Sequence, residues 1–314
     1  MIFYIARRLL LAIPVLFGIS LVAFALVRLV PGDTATVMLG MQYTEAQGEQ
    51  IRAEMGLDQP VPVQYAIWLS RALSGDLGQS GFTGQPVTRA LRERLPVTLQ
   101  LASSAVLFAL VMALPLGMMA AVHRGRWPDH LAMTVGVAGL SVPNFWLGIL
   151  LILLFARTLG WAPSGGFIHL FEDPVGNLRT MILPAFALGL AVAAVLIRTM
   201  RASMLDVLGQ EYLRMARAKG CGPLRLYGVH AFRNALVPVL TVLGIQVGYL
   251  LGGSVVIESV FGLPGIGLLA LEAIRNRDYV LLQGVIVFVG TAFLLINLTV
   301  DLLYAWVNPQ IRYG

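Results

Sequence analysis

The chain has 314 residues, of which 58% are hydrophobic and only 12% are charged, and its mean hydropathy is +0.80. Soluble domains carry about 25% charged residues, so this composition leaves too little polar surface for a water-soluble globule. The net charge of +6 could indicate a nucleic-acid partner, but basic residues also concentrate in the cytoplasmic loops of membrane proteins, and we favour that reading. The single cysteine, Cys221, excludes an internal disulfide and a cysteine-based metal site.

Six apolar segments are each long enough to cross a hydrocarbon core, which needs roughly 20 residues of helix. The first is longer than the h-region of a signal peptide, so we interpret it as a retained first helix. Because backbone polar groups find no water in the membrane, helices are the expected spanning form. We therefore predict an all-α polytopic membrane protein of about six transmembrane helices. The predicted spans are residues 9–30, 99–122, 131–156 (interrupted at 141–143), 181–197, 236–257 and 280–307.

The charges of the loops predict the orientation of the chain. If the N-terminus lies inside, the inner pieces are the two chain ends, residues 123–130 and residues 198–235. These pieces hold twelve arginine and lysine residues against only Asp129, Asp206 and Glu211, whereas the short opposite loops are balanced. Basic residues are enriched on the cytoplasmic side of membrane proteins. Both termini are therefore expected to be cytoplasmic.

Residues 31–98 would then lie outside, and this segment is too long to be a simple connection. Thr44 followed by Gln47 is a capping-box pattern, which predicts the start of a helix. Amphipathic spacing predicts a second helix at Val61–Leu73, and a glycine-rich loop then leads to a short basic helix at Val87–Leu95. We expect a small ordered extracytoplasmic layer that receives a partner. A packing lid with no partner is the alternative.

The loop between the fourth and fifth predicted spans contains two amphipathic segments, separated by Gly220, Gly222 and Pro223. Glycine supplies the left-handed residue that ends a helix, and proline prevents the helix from continuing. This pattern predicts a short helix, a sharp turn and a second short helix leading into the membrane. Such a basic unit could dock into a groove on another protein or lie on anionic headgroups. The residue pattern alone favours neither.

This loop also carries a family motif. Residues 214–220 read Arg-Met-Ala-Arg-Ala-Lys-Gly, which resembles the EAA loop of bacterial ABC-importer permeases (Glu-Ala-Ala, three residues, Gly). With its flanking residues, the loop looks like the dipeptide, oligopeptide and nickel permease branch. Arg214 occupies the usual glutamate position, and the distance from Gly220 to Pro238 is longer than in sugar importers. Both departures are usual in the peptide branch, although a salt link made by the usual glutamate is not expected here.

The resemblance extends over essentially the whole chain. The N-terminal stretch resembles the first helix of the B-type permease subunit, and a short loop near residues 158–180 is similar to that of the glutathione-importer branch. The further stretches that fit the family are residues 6–33, 75–78, 141–143, 258–267, 277–279 and 308–312.

The resemblance implies how the chain works. In such importers a B-type and a C-type permease form the pore, two ATPase subunits bind ATP and Mg, and an extracytoplasmic binding protein delivers the solute. This chain has no phosphate-binding loop of the G-x-x-x-x-G-K-[ST] type, so it is expected to be a non-catalytic permease subunit of the bacterial inner membrane with no cofactor of its own. The expected solutes are di-, tri- or oligopeptides or glutathione-like molecules, and the sequence does not choose among these and nickel chelates. Apart from membrane lipid, no other partner is expected, and no nucleic acid.

The same resemblance implies the domain organisation and the site. Residues 1–314 would form a single transmembrane domain that contains the 31–98 segment and the coupling loop at 198–235. ATP-driven movement of the ATPase subunits would enter the membrane helices through that loop. The residues assigned to the ATPase contact are Glu211, Arg214, Ala216, Arg217, Ala218, Lys219 and Gly220.

Few ionisable residues occur inside the predicted spans. Such residues at mid-membrane usually mark ion pathways or proton relays, so their scarcity argues against the alternative function, an ion-coupled secondary transporter. The candidate pore-lining residues are Asn144, Gln246, Tyr249 and Glu258. For the first three, hydrogen bonding between helices is as good an interpretation. Glu258 could guard the outer mouth or cap the end of the fifth span. The four histidines do not form a ligand cluster, so no metal site is predicted.

Overall fold

A computed structural model of the chain describes residues 2–29, 44–55 and 58–307. The predicted turn at 31–33 and the C-terminal motif at 308–312 lie outside these residues. The helices are α1 (Ile2–Arg28), α2 (Glu45–Met55), α3 (Val61–Leu73), α4 (Val87–Val122), α5 (Trp127–Ser141), α6 (Asn144–Leu151), α7 (Pro174–Leu208), α8 (Glu211–Ala218), α9 (Phe232–Phe261), α10 (Ile266–Arg275) and α11 (Tyr279–Val307).

Two π-helical turns extend these helices. Ile152–Thr158 continues α6, and Leu226–Ala231 joins the short turn Pro223–Arg225 to the start of α9. Residues 223–261 therefore form one continuous helical stretch. The second short helix predicted in the coupling loop is the first part of this stretch and not a separate element.

Five of the described helices are long and apolar enough to cross a membrane, and two bent helix pairs raise the number to as many as seven. This confirms the predicted all-α, membrane-embedded class. The third predicted span corresponds to α5 and α6, which meet at an angle of 101°. The break follows from Pro143: the residue before a proline is driven out of the helical region, and Val142 is extended with ψ 120°. The other bent pair is residues 254–261 with α10, at 81°.

One predicted boundary is wrong. The basic helix at Val87–Leu95 and the span that begins at residue 99 are a single 36-residue helix, α4, which continues through Pro96. Proline removes one backbone hydrogen bond from a helix interior, but the leucine, arginine and glutamate residues before Pro96 are good helix formers. The amphipathic helix α3, by contrast, has the predicted bounds.

The described residues fall into two compact units, the first within residues 1–98 and 264–295 and the second within 99–263 and 296–314. The core of the first unit consists of apolar side chains from the start of α4, from α10 and from the start of α11, together with Val27 of α1. Tyr65 of α3 lies against α1, where its hydroxyl is 2.7 Å from Ser20 Oγ and its ring contacts Phe17 and Phe24.

The buried carboxylate of Asp278 organises the loop that precedes α4. Asp278 accepts a hydrogen bond from Ser80 Oγ and from the backbone N–H groups of Gly81 (3.3 Å) and Phe82 (3.4 Å). It also accepts one from Leu281 N (3.1 Å), in the first turn of α11. In the sequence, Asp278 is only one of the charges of a balanced short loop. Its four donors fix residues 80–82 to the start of α11.

In the second unit, α7 is the central helix. Of the residues in its most apolar stretch, 72% are buried, against 17–33% for the other single spans. Small residues allow close approach: a Cβ added to Gly189 would lie 2.6 Å from the carbonyl oxygen of Ala105 in α4. A Cβ added to Gly117 of α4 would lie 2.6 Å from Met200 Cβ. Membrane helices associate through such contacts because the lipid supplies no hydrophobic driving force between them.

Replacing the buried carboxylate, Asp278→Ala, is expected to destabilise the fold. The change leaves Ser80 and three backbone N–H groups without their acceptor, which should lower the free energy of unfolding by about 3 kcal/mol. Thermal unfolding of the purified chain in detergent measures the effect. Asp58→Ala, at an exposed carboxylate of the same unit, is the control and should change nothing. Equal midpoints for the two variants would contradict the role given to Asp278.

Gly189→Val is expected to push α4 and α7 apart. The new side chain would meet a backbone oxygen that cannot rotate away, and overpacking of this kind costs about 1–3 kcal/mol. Gly18→Val in α1 is the control, since no heavy atom lies within 4 Å of a Cβ added there. The fraction of detergent-solubilised protein that stays monodisperse after stepwise heating should fall for Gly189→Val alone.

Candidate functional site

The predicted coupling helix is α8, eight residues long and separated from α7 only by Gly209 and Gln210. It is held to the protein by Leu213, which is 3% exposed and is the single buried residue of this helix. The other side chains of α8 are exposed or half-buried. A short helix with one buried anchor presents most of its surface outward.

The turn after α8 has the geometry that its glycine predicts. Gly220 is left-handed (φ +84°), its N–H donates to Arg217 O at 3.0 Å, and Cys221 N donates to Ala216 O at 3.1 Å. These two bonds satisfy carbonyl groups that the helix end would otherwise leave without donors. Pro223 then begins the next helical stretch. The predicted first helix and turn are therefore present, and the predicted second helix is the first part of the continuous stretch 223–261.

Three polar contacts join α8 to the stretch that leads into α9. Asn234 Nδ2 donates to Tyr212 Oη at 2.5 Å, and Tyr212 Oη donates to the carbonyl oxygen of His230 at 3.4 Å. Arg217 Nη2 donates to Tyr227 Oη at 3.0 Å. Arg217 was predicted to contact another subunit. In the structure its guanidinium stabilises the turn by this hydrogen bond to Tyr227. Because of these contacts, α8 is connected directly to α9 as well as to α7.

Most of the residues assigned to the coupling contact are accessible. Ala216 is half-buried, and the exposed ones are Glu211, Arg214, Arg217, Ala218, Lys219 and Gly220. Two exposed apolar side chains of the loop were not predicted: Met215 of α8 is 61% exposed, and Leu224, which follows the turn, is 92% exposed. The exposure of Met215 could have been predicted from the sequence, because residues two positions apart in a helix do not share a face. An inward Leu213 therefore directs Met215 away from the protein.

The end of α7 nearest to α8 is fixed by an ion pair. Arg201 of α7 donates from Nε to Asp129 Oδ1 at 2.5 Å and from Nη2 to Asp129 Oδ2 at 2.8 Å. The carboxylate, which is 4% exposed, also accepts from Gly125 N at 2.9 Å. In the sequence, Asp129 and Arg201 are only two of the charges of the predicted inner loops. Their 72-residue separation gave no sign that they meet.

The four pore-lining candidates have different environments. Gln246 is half-buried and Tyr249 is 70% exposed, and their three-residue spacing places them on one face of α9. Asn144 is half-buried at the first position of α6, just after the Pro143 break. Glu258 is completely buried. The structure therefore brings two of the candidates, Gln246 and Tyr249, onto a common accessible face.

The end of α9 is closed by backbone groups. Gly262 is left-handed (φ +60°), and Leu263 N donates to the carbonyl oxygen of Glu258 at 2.8 Å. Glu258 thus takes part in capping the helix through its main chain. Among the residues that the structure describes, no group of three or more histidine, cysteine, aspartate or glutamate side chains could hold a metal ion.

Two family models cover nearly the whole chain. Residues 1–102 match the N-terminal region of binding-protein-dependent transport system membrane components, and residues 113–313 match the binding-protein-dependent transport system inner membrane component itself. A solved structure of similar fold, the inward-facing MetNI methionine ABC transporter, aligns with a TM-score of 0.57 at 18% identity. The alignment covers 69% of this chain and 96% of that chain.

Sequence relatives extend over the full length. A putative peptide transport system permease protein of Brucella abortus (strain 2308) is 44% identical over 309 residues, which is 98% of each chain. The glutathione transport system permease protein GsiC of Escherichia coli (strain K12) is 43% identical over 310 residues, which is 99% of each chain. These matches confirm the predicted family and a multi-pass inner-membrane location. The chain belongs to the binding-protein-dependent transport system inner membrane components, as a permease subunit of an ABC importer.

Proposed function

We propose that this chain is the B-type permease of an importer that moves short peptides, including glutathione-like tripeptides, into the cytoplasm. The observation that carries the proposal is the full-length similarity, above 40% identity, to permeases named for peptide and for glutathione transport. Family models match both the N-terminal region and the remainder of the chain, so the similarity is not confined to one part of it. Which short peptide is transported would depend largely on the binding protein that delivers it.

We further propose that α8 docks into a groove of an ATPase subunit. The accessible surface of α8 and of the turn after it combines a cation, Arg214, with the apolar side chains of Met215 and Leu224, beside the half-buried small residue Ala216. Arginine pairs well with carboxylates, exposed apolar residues supply the desolvated centre of an interface, and alanine allows close approach. In this arrangement Arg214, Lys219 and Glu211 form the polar rim, whereas Arg217 and Gly220 preserve the shape of the turn.

In the proposed assembly, that contact is one of several between this chain and its partners. A C-type permease completes the pore, two ATPase subunits bind ATP and Mg beneath it, and both termini of this chain are cytoplasmic together with residues 198–235. Residues 31–98 lie on the other side, where the binding protein arrives, and residues 1–314 act as one transmembrane domain. The exposed face of α9 with Gln246 and Tyr249 lines the path. Asn144 would join it at the α6 break, and Glu258 would contact solute only if the end of α9 opened.

The alternative considered from sequence, an ion-coupled secondary transporter, is disfavoured by the family match and by the full-length relatives. It would need no ATPase and would not require an accessible α8. The discriminating observation is the energy source: transport should follow ATP and not a proton gradient.

Gly220→Asp is expected to weaken coupling severalfold. A Cβ at φ +84° costs up to about 1 kcal/mol even for aspartate, which tolerates left-handed backbone better than most residues, and this corresponds to about a fivefold loss of the docked geometry. The measurement is uptake of labelled glutathione and labelled dipeptides into proteoliposomes that contain the complete co-expressed transporter, ATP and binding protein. Gly222→Asp adds the same charge to the same turn at φ −67°, so it serves as the control and should retain most of the uptake.

The opposite results would be decisive. Full ATP-dependent uptake by Gly220→Asp, in protein that reaches the membrane normally, would rule out the coupling role of the turn. Uptake by the unmodified transporter that ignores ATP and follows a proton gradient would favour the secondary transporter instead.

Leu224→Ser is expected to weaken attachment of the ATPase subunits. Fully burying a leucine side chain is worth about 1.5–3 kcal/mol, so its loss from the interface should cost more than about tenfold in affinity. The attachment is measured as the amount of ATPase subunit that co-purifies with the tagged permease after washes with increasing volumes of detergent buffer. Phe171→Ser, at a 98% exposed aromatic residue before α7, is the control and should leave retention unchanged. Equal retention by both variants would exclude Leu224 from the interface.

A further inference from the structure

The ion pair between Asp129 and Arg201 lies at a junction of three elements. Arg201 belongs to the last third of α7, Asp129 lies in the first turn of α5, and Gly125 lies in the turn that follows α4. Both carboxylate oxygens are engaged by the guanidinium, and one of them also accepts the Gly125 N–H. A bidentate pair of this kind fixes orientation as well as distance.

The same pair is close to α8 along the chain. From Arg201 the helix α7 runs on for seven residues to Leu208, and Gly209 and Gln210 then lead directly into α8. At a rise of about 1.5 Å per residue, this remaining part of α7 is only about 10 Å long. Met204 within it is completely buried. A displacement of α8 is therefore transmitted through a short helical arm to the position of Arg201.

Stability alone gives little reason for such a pair. A buried ion pair is costly to desolvate, and replacing both partners by apolar residues of similar volume is often neutral or stabilising. Helix α5 already packs on α7 at Gly139, where an added Cβ would lie 3.0 Å from Ala194 Cβ. The ion pair adds a contact of fixed orientation between α5 and α7. It lies toward the end of α7 that leads into α8.

We propose that Asp129 and Arg201 are positioning residues that transmit movement of α8 to the turn between α4 and α5 during transport. The inference rests on the proposed function, in which α8 contacts the ATPase subunits. The guanidinium pulls the carboxylate when α7 moves, and the carboxylate carries with it both the first turn of α5 and the backbone of Gly125. Without the link, α8 and the end of α7 can move while α4 and α5 lag behind.

The test is the amount of peptide transported per ATP hydrolysed, measured in proteoliposomes with the complete transporter and binding protein. The main variant is Asp129→Leu combined with Arg201→Met, because an apolar pair keeps the interface filled without burying a lone charge. We expect ATP hydrolysis to persist while labelled glutathione or dipeptide moved per ATP falls by about fivefold or more, the range of ordinary coupling between sites. The control is Arg198→Gln, one turn earlier on α7; Arg198 forms no ion pair with any described residue.

Two results would overturn the inference. One is an unchanged ratio of peptide to ATP in the double variant. The other is a proportional fall of uptake and hydrolysis, which a purely structural role in assembly would produce. If the double variant does not assemble, Arg201→Lys replaces it. Lysine keeps the charge but not the fixed bidentate fork, so the ratio should fall by a smaller factor, and an unchanged ratio again refutes the role.

Failure of this inference is distinct from failure of the proposed function. If Gly220→Asp lowers uptake as expected and the double variant stays fully coupled, α8 docks as proposed but its movement reaches the membrane helices by another route. If Gly220→Asp has no effect, the coupling role of α8 is itself wrong, and the proposed transmission through Asp129 and Arg201 falls with it.

Discussion

The ends of a helix leave backbone N–H and C=O groups without partners inside that helix. Several interruptions of the described helices supply these partners through side chains or left-handed turns. Asp173 caps the start of α7 by accepting from Val175 N and Gly176 N, and Asp278 does the same for α11. Gly220 and Gly262 close the ends of α8 and α9 through left-handed turns. The breaks are therefore organised sites with defined hydrogen bonds, and the residues proposed to act in transport cluster next to them.

The local breaks could be predicted because proline and glycine act on their immediate neighbours. Pro143 disrupts the third predicted span at Val142, and Gly220 with Pro223 separates α8 from the following helical stretch. Helix continuity was harder to predict, since a proline such as Pro96 is tolerated when its surroundings favour the helix. For the same reason α4 begins at Val87, well before the apolar stretch that identified it as a span.

Contacts between residues that are far apart in the chain could not be predicted from a single sequence. Asp278 and Ser80 are 198 positions apart, and the partners Asp129 and Arg201 are 72 apart. From the sequence alone, Asp278, Asp129 and Arg201 could be interpreted only as solvated charges or as charges that set the orientation of the chain in the membrane. At the coupling loop the motif pointed to Arg214, Ala216 and Gly220, but it drew attention to charge and away from Met215, whose exposure depends on which face Leu213 buries.

The π-helical turn Leu226–Ala231 has a consequence for the register of the coupling unit. A π-turn holds about one residue more than an α-helical turn, and each residue of an α-helix turns the chain by about 100°. Deleting one residue from Leu226–Ala231 would rotate α8 and the turn after it relative to α9 by roughly 100°. Tyr227 and Asn234 lie on either side of Val229 and His230, and they hold Arg217 and Tyr212 respectively. The number of residues in this turn, independently of their chemical identity, therefore sets which side of α8 would face the proposed ATPase partner.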